Sequence, residues 1–166
     1  LVEESTIQFL SELREHMTEF TRIFNGYSEG GARFQEVKVY NVAHSSGDFM
    51  VFRNQMKLIV SNCAHGVIQL AFSDHVRGSY AIDSTGARGD AGAGDPGQPQ
   101  ELVAKVGPFR DVAWTFLGEK VAASQVARFY FAEFTRVTRD LRKSRLGNQV
   151  LLEQIKSLLQ DKGLDL

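Results

Sequence analysis

The densest apolar stretch of the chain runs from Phe49 to Phe72 and constrains the fold most, because it must lie inside any compact arrangement. It reads FMVFRNQMKLIVSNCAHGVIQLAF, and its β-branched content is typical of strands. Lys57 to Asn62 and Val67 to Ser73 are the clearest strands, and the short connection between them suits a hairpin. Strands joined so closely must be antiparallel, because a parallel return needs a dozen residues or more. We therefore predict that this stretch forms the centre of an antiparallel meander.

Two apolar segments, 49–56 and 109–117, fit both a strand and a helix. Phe49, Phe52 and Met56 have helical spacing, yet runs this short cannot be assigned from periodicity. For 111–117 the aromatic and β-branched content favours a strand. For 49–56 we predict a strand that ends in a turn near 53–55.

Weaker alternation predicts further strands at Arg33 to Ala43, Gly78 to Asp83 and Glu101 to Val106. Between the last two of these strands, residues 84–100 read STGARGDAGAGDPGQPQ, with almost no apolar side chain larger than alanine. Such a segment cannot offset the entropy lost on ordering, so we expect a mobile surface loop there.

An apolar stripe predicts a first helix from Glu3 to Asn25, with Ser5 as its N-cap. The spacing of the stripe is also that of a short heptad seam, so it can cover the sheet of its own chain or pair two subunits. Covering the sheet is favoured, because a coiled coil needs three or more heptads. The residues of the stripe are Leu10, Leu13, Met17, Phe20 and Phe24.

Two further helices are predicted after the strands. The first runs from Ser124 to Arg145 and ends at Leu146-Gly147, and Asn148 caps an amphipathic helix at 148–162. The stripe of this last helix must pack against the body of the domain or against a second subunit, and the sequence leaves both open. Its residues are Leu151, Leu152, Ile155, Leu158 and Leu159.

These elements predict one α+β domain over 1–166, a length sufficient for a single core. We expect a mostly antiparallel sheet of five to seven strands, flanked on one face by one N-terminal helix and two C-terminal helices. Apolar residues make up 43% and charged residues 23%, which is typical of soluble globular domains.

Charge and cysteine content limit the partners that the sequence predicts. A net charge of −1 gives no global attraction to nucleic acid or anionic lipid, and no apolar run is long enough to span a bilayer. Five cations lie between Arg136 and Arg145, but a helix C-terminus favours cations without any ligand, so nucleic acid is not expected. Cys63 is the only cysteine, which excludes an internal disulfide and fits the reducing cytoplasm.

One grouping, Cys63 and His65 followed by Asp74 and His75, suggests nucleophilic catalysis by a small hydrolase or transferase. A lone cysteine in a sheet is more often a small hydrophobic residue, so we predict no catalytic residue. The four histidines lack the tight pairing of zinc sites, and we expect no metal and no cofactor.

The sequence therefore predicts a non-catalytic module that binds a partner protein or a small apolar ligand, with homodimerisation through the first or the last helix. A small ligand would lie in an apolar pocket between the sheet and the helices. The residues predicted to line it also have the character of an ordinary core, and they are Phe72, Trp114, Phe116, Phe129 and Tyr130.

Overall fold

The structure is a computed structural model that describes residues 1–27, 35–74, 78–79 and 99–161, with the backbone alone described for 74, 78–79, 140–152 and 159–161. This part of the chain contains two helices and eight strands. The helices are α1 (Val2–Gly26) and α2 (Ala123–Asp161). The strands are β1 (Lys38–Asn41), β2 (Phe49–Arg53), β3 (Met56–Ala64), β4 (Val67–Asp74), β5 (Gly78–Ser79), β6 (Gln100–Val106), β7 (Val112–Phe116) and β8 (Glu119–Lys120).

All strands belong to one antiparallel sheet in the order β1-β2-β3-β4-β6-β7-β8, and β5 pairs with the end of β4. The hairpins β2–β3 and β3–β4 lie in the interior of this order, as the apolar stretch predicted. Both ambiguous segments are strands. The predicted α+β class and antiparallel sheet are therefore confirmed.

The strand register places alternate residues of the central strands on one buried face. Val51 pairs with Leu58, and Leu58 pairs with Phe72 on the next strand. Helices α1 and α2 pack against each other and cover this face, where a single core joins sheet and helices. On the opposite face Tyr40 is exposed, and Met50 and Ile59 are half-buried.

Helix α1 buries its stripe within its own chain, as the short heptad run indicated. Leu10, Leu13 and Met17 are fully buried in the core. The predicted N-cap at Ser5 is wrong, because the helix begins at Val2. The Ser5 hydroxyl instead accepts a hydrogen bond of 3.1 Å from the indole Nε1 of Trp114.

The C-terminal segment forms one continuous helix, where the sequence predicted two. Neither Leu146-Gly147 nor Asn148 interrupts the helical backbone of α2. A glycine inside a helix costs only about 1 kcal/mol relative to alanine, and no proline follows to remove a backbone donor. The helix formers on both sides of this glycine therefore continue the helix through it.

Several predicted boundaries fall outside the described residues. These are the first two residues of the strand predicted at 33–43, residues 80–83 of the strand predicted at 78–83, and residues 84–98 of the predicted loop. Gln100 belongs to β6, so the loop was predicted one residue too long at that end. The two-residue strand β8 was not predicted at all.

The turn between β7 and β8 carries an unfavourable residue. Leu117 and Gly118 have φ angles of 49° and 87°, the left-handed pair of a type I′ hairpin turn. Glycine adopts this conformation freely, whereas a leucine side chain crowds the backbone there. The Leu117 side chain is 72% exposed, so its packing does not repay that cost.

We expect Leu117→Asn to raise the free energy of unfolding by about 0.5–1 kcal/mol, because Asn-Gly is the preferred type I′ pair. Urea denaturation followed by circular dichroism measures the change. Leu117→Ala is the matched control, since it removes the exposed apolar side chain without favouring positive φ. Equal stability of the two variants would show that the turn conformation is not the cause.

Candidate interaction surface

Trp114 of β7 lies in a contact with the first helix. Its side chain is almost completely buried, and its ring stacks on Phe9 with the centroids 5.0 Å apart. The indole N–H is satisfied by Ser5. The tryptophan therefore joins α1 to the sheet.

Three other residues predicted to line a pocket form a row of aromatic rings between the sheet and α2. The ring of Phe72 stacks on that of Tyr130 with the centroids 6.1 Å apart, and the Tyr130 ring contacts the Phe129 ring edge-on with the centroids 5.4 Å apart. Burial raises the pKa of Tyr130 to about 12, so its phenol is neutral at physiological pH. Tyr130 is buried, but Phe129 is 49% exposed, so the row of rings reaches the surface of α2.

The fifth residue, Phe116, is half-buried and packs against the edge of the core. The ring contacts thus join Phe72, Phe129 and Tyr130 to one another and Trp114 to Phe9, and Trp114 and Tyr130 belong to the same core. Both sets of contacts hold the helices on the sheet. Assignment of these residues to a ligand pocket stays a prediction.

The residues considered for nucleophilic catalysis are spread along one hairpin. Cys63 is exposed near the end of β3, with its thiol 3.7 Å from the carbonyl oxygen of Val67, and His65 follows in the turn. The register pairs Asp74 with Met56 at the opposite end of the same hairpin. On β3, six residues lie between Met56 and Cys63, a distance of about 20 Å along the strand. Asp74 therefore lies far from Cys63. His75 lies outside the described residues.

Metal ligands are not grouped in the described ranges. Within them, no three His, Cys, Asp or Glu side chains lie close enough together to hold a metal ion.

Helix α2 is fastened to the body by a buried arginine at the end of β2. Arg53 is only 6% exposed, and its Nε donates to the carbonyl oxygen of Gln35 at 3.0 Å. A terminal guanidinium nitrogen donates to the hydroxyl of Thr138 on α2, also at 3.0 Å. The guanidinium carbon lies 4.9 Å from the ring centroid of Phe24 on α1, a cation–π distance.

Neighbouring amides strengthen this junction. Asn54, in the β2–β3 turn, donates from its side chain to the carbonyl oxygen of Thr138. Asn25, at the end of α1, pairs with both the N–H and the carbonyl oxygen of Val37 at 2.9 Å. Both helices are thus tied to the same end of the sheet.

Beyond Thr138, α2 continues for another six turns. We call its residues 139–161 the C-terminal arm. Thr138 is the last buried side chain of α2 among those described, and the side chains of 153–158 are all exposed. They include Ile155 and Leu158, which are 45% and 61% exposed. Part of the predicted apolar stripe therefore faces solvent.

The role of Arg53 was not predicted from the sequence. A signal existed, because Phe49, Val51 and Arg53 alternate along β2 and must share one face. Because residues 49–56 fitted both a strand and a helix, this alternation was not recognised. Only the strand assignment places the arginine on the buried face.

The two helices differ from membrane-spanning segments. Over the part of the chain that the structure describes, neither is long and apolar enough to cross a membrane. Comparison of the chain with protein-family models, curated proteins and solved structures found no match in any of the three.

We expect Thr138→Val to lower the free energy of unfolding by about 1.5–3 kcal/mol, because it removes the hydroxyl that accepts from a buried guanidinium. Chemical denaturation measures the loss. Thr135→Val makes the same change three residues earlier, where the hydroxyl is exposed and bonds only to its own helix. This control should stay within about 0.5 kcal/mol of the parent protein. Equal losses in both variants would contradict a specific role for the Arg53 contact.

Proposed function

We propose that this protein is a non-catalytic interaction module that self-associates through its C-terminal arm. In this proposal the stripe of one arm packs against the stripe of an arm from a second copy. The body formed by the sheet, α1 and the first turns of α2 serves as the platform from which the arm projects.

The observation that carries the proposal is the exposure of Ile155 and Leu158 on a helix that has passed its last recorded buried residue. The stripe of α1, with similar spacing, is buried in its own chain. Exposed apolar side chains at regular helical spacing are typical of surfaces that another helix covers. The arm is therefore the better candidate of the two helices for an intermolecular contact.

The shape of the arm favours a protein partner over a small ligand. Small ligands bind in concave sites, whereas a single projecting helix presents a convex surface. Apolar residues three and four apart pack instead between the side chains of a facing helix. Because the stripe of a second copy has the same spacing, the chain itself supplies a suitable partner.

The expected affinity is moderate. The stripe contributes five apolar residues from each of two copies. If partial burial of each stabilises by about 1 kcal/mol, the gain is about 10 kcal/mol, and an association cost of about 4 kcal/mol leaves about 6 kcal/mol. A dissociation constant of roughly tens of micromolar follows.

We assign the module to the reducing cytoplasm. Support comes from Cys63, which is the only cysteine and carries an exposed thiol. Exposed free thiols are oxidised readily in secretory compartments, and they persist where thiol reductants are abundant.

We expect the protein to sediment mainly as a dimer at about 100 µM and Leu158→Glu to sediment as a monomer, because the new charge would be buried in the stripe. Sedimentation equilibrium measures both masses. Ser157→Glu is the matched control, since it places the same charge on the adjacent exposed residue, away from the stripe. It should remain dimeric. A monomeric parent protein, or an equal effect of the two substitutions, would contradict the proposal.

A further inference from the structure

We infer that the two arms pair antiparallel, so that the globular bodies lie at opposite ends of the dimer. This inference rests on the proposed self-association and adds the geometry of the contact. It follows from the positions of apolar and charged residues along the arm.

The apolar stripe is symmetrical about Ile155. Its other members lie three and four residues to either side, at 151 and 152 and at 158 and 159. An antiparallel pair centred on Ile155 therefore brings residue 151 level with 159 of the second copy, and 152 level with 158. The apolar overlap is as complete as in a parallel pair, so apolar burial does not select the orientation.

Charge does select it. The part of the arm nearest the body contains Arg139, Arg142, Lys143 and Arg145 against Asp140, which gives four positive charges minus one negative charge, or +3. In a parallel pair these two segments would run side by side at about 10 Å, the usual distance between packed helix axes. That distance is about one Debye length at physiological salt, so the segments would repel each other.

An antiparallel pair separates the same segments. Lys143 lies twelve residues before Ile155, so the two copies of Lys143 are about 36 Å apart along the axis. Several Debye lengths then screen their repulsion. In this register residues 149–161 of the two arms face each other, and each basic segment lies outside that overlap, away from its like.

The size of the body agrees with this orientation. A chain of this length has a radius of gyration of about 15 Å, wider than the spacing of two packed helices. In a parallel pair both bodies would meet on the same side, where each α2 lies against its own sheet. The antiparallel pair places one body beyond each end of the contact.

Pulsed electron–electron double resonance measures the distance between two spin labels, and this distance distinguishes the two orientations. Both variants for labelling carry Cys63→Ser, so that one introduced cysteine bears the label. Ala132→Cys lies on an exposed position of α2 inside the body, 23 residues before Ile155, and antiparallel pairing predicts about 70 Å between its two copies. A distance of less than half that value would show parallel pairing and overturn the inference.

Ser157→Cys is the control, because its exposed position lies two residues from Ile155. Its two copies stand within about 20 Å of each other in either orientation. If the distances at 157 and at 132 are both short, self-association is supported and the antiparallel geometry is rejected. If the labels at 157 show no short distance and the mass is that of a monomer, self-association and the antiparallel orientation are both rejected.

Discussion

The guanidinium of Arg53 connects every layer of this protein at one point. It extends from the end of β2 into the core, donates to the segment that precedes β1, donates to Thr138 on α2 and lies over the ring of Phe24 on α1. A charge this deeply buried is tolerated only when its donors are satisfied, and loss of one partner is costly. The junction therefore helps to fix the position of both helices on the sheet.

This junction also defines where the body ends. The contacts of Arg53 and Asn54 hold α2 at Thr138, beside the β2–β3 turn. Because the helix continues from there to Asp161, the direction of the arm is set by an interaction inside the body. The exposed Ile155 and Leu158 lie beyond the core that buries the stripe of α1. Association through the arm is the function that this arrangement supports best.

Much of the fold could be predicted from the sequence, and the exceptions have physical causes. Alternation and short connections identified β3 and β4, because a strand covered on one face must repeat every second residue. Ser5 was misassigned because its hydroxyl bonds to Trp114, more than a hundred residues away in the chain. Gly147 was given too much weight as a helix stop. The sequence left the cover of the last stripe open, and the exposure of Leu158 now favours a second copy.

The central claim is that the arm is covered by another molecule and not by its own body. Amide hydrogen exchange at 149–161, compared between about 1 and 100 µM protein, tests it most directly. We expect these amides to exchange quickly in dilute solution and roughly threefold more slowly in concentrated solution, while amides between 123 and 138 do not change. Protection of the arm that is the same at every concentration would contradict it.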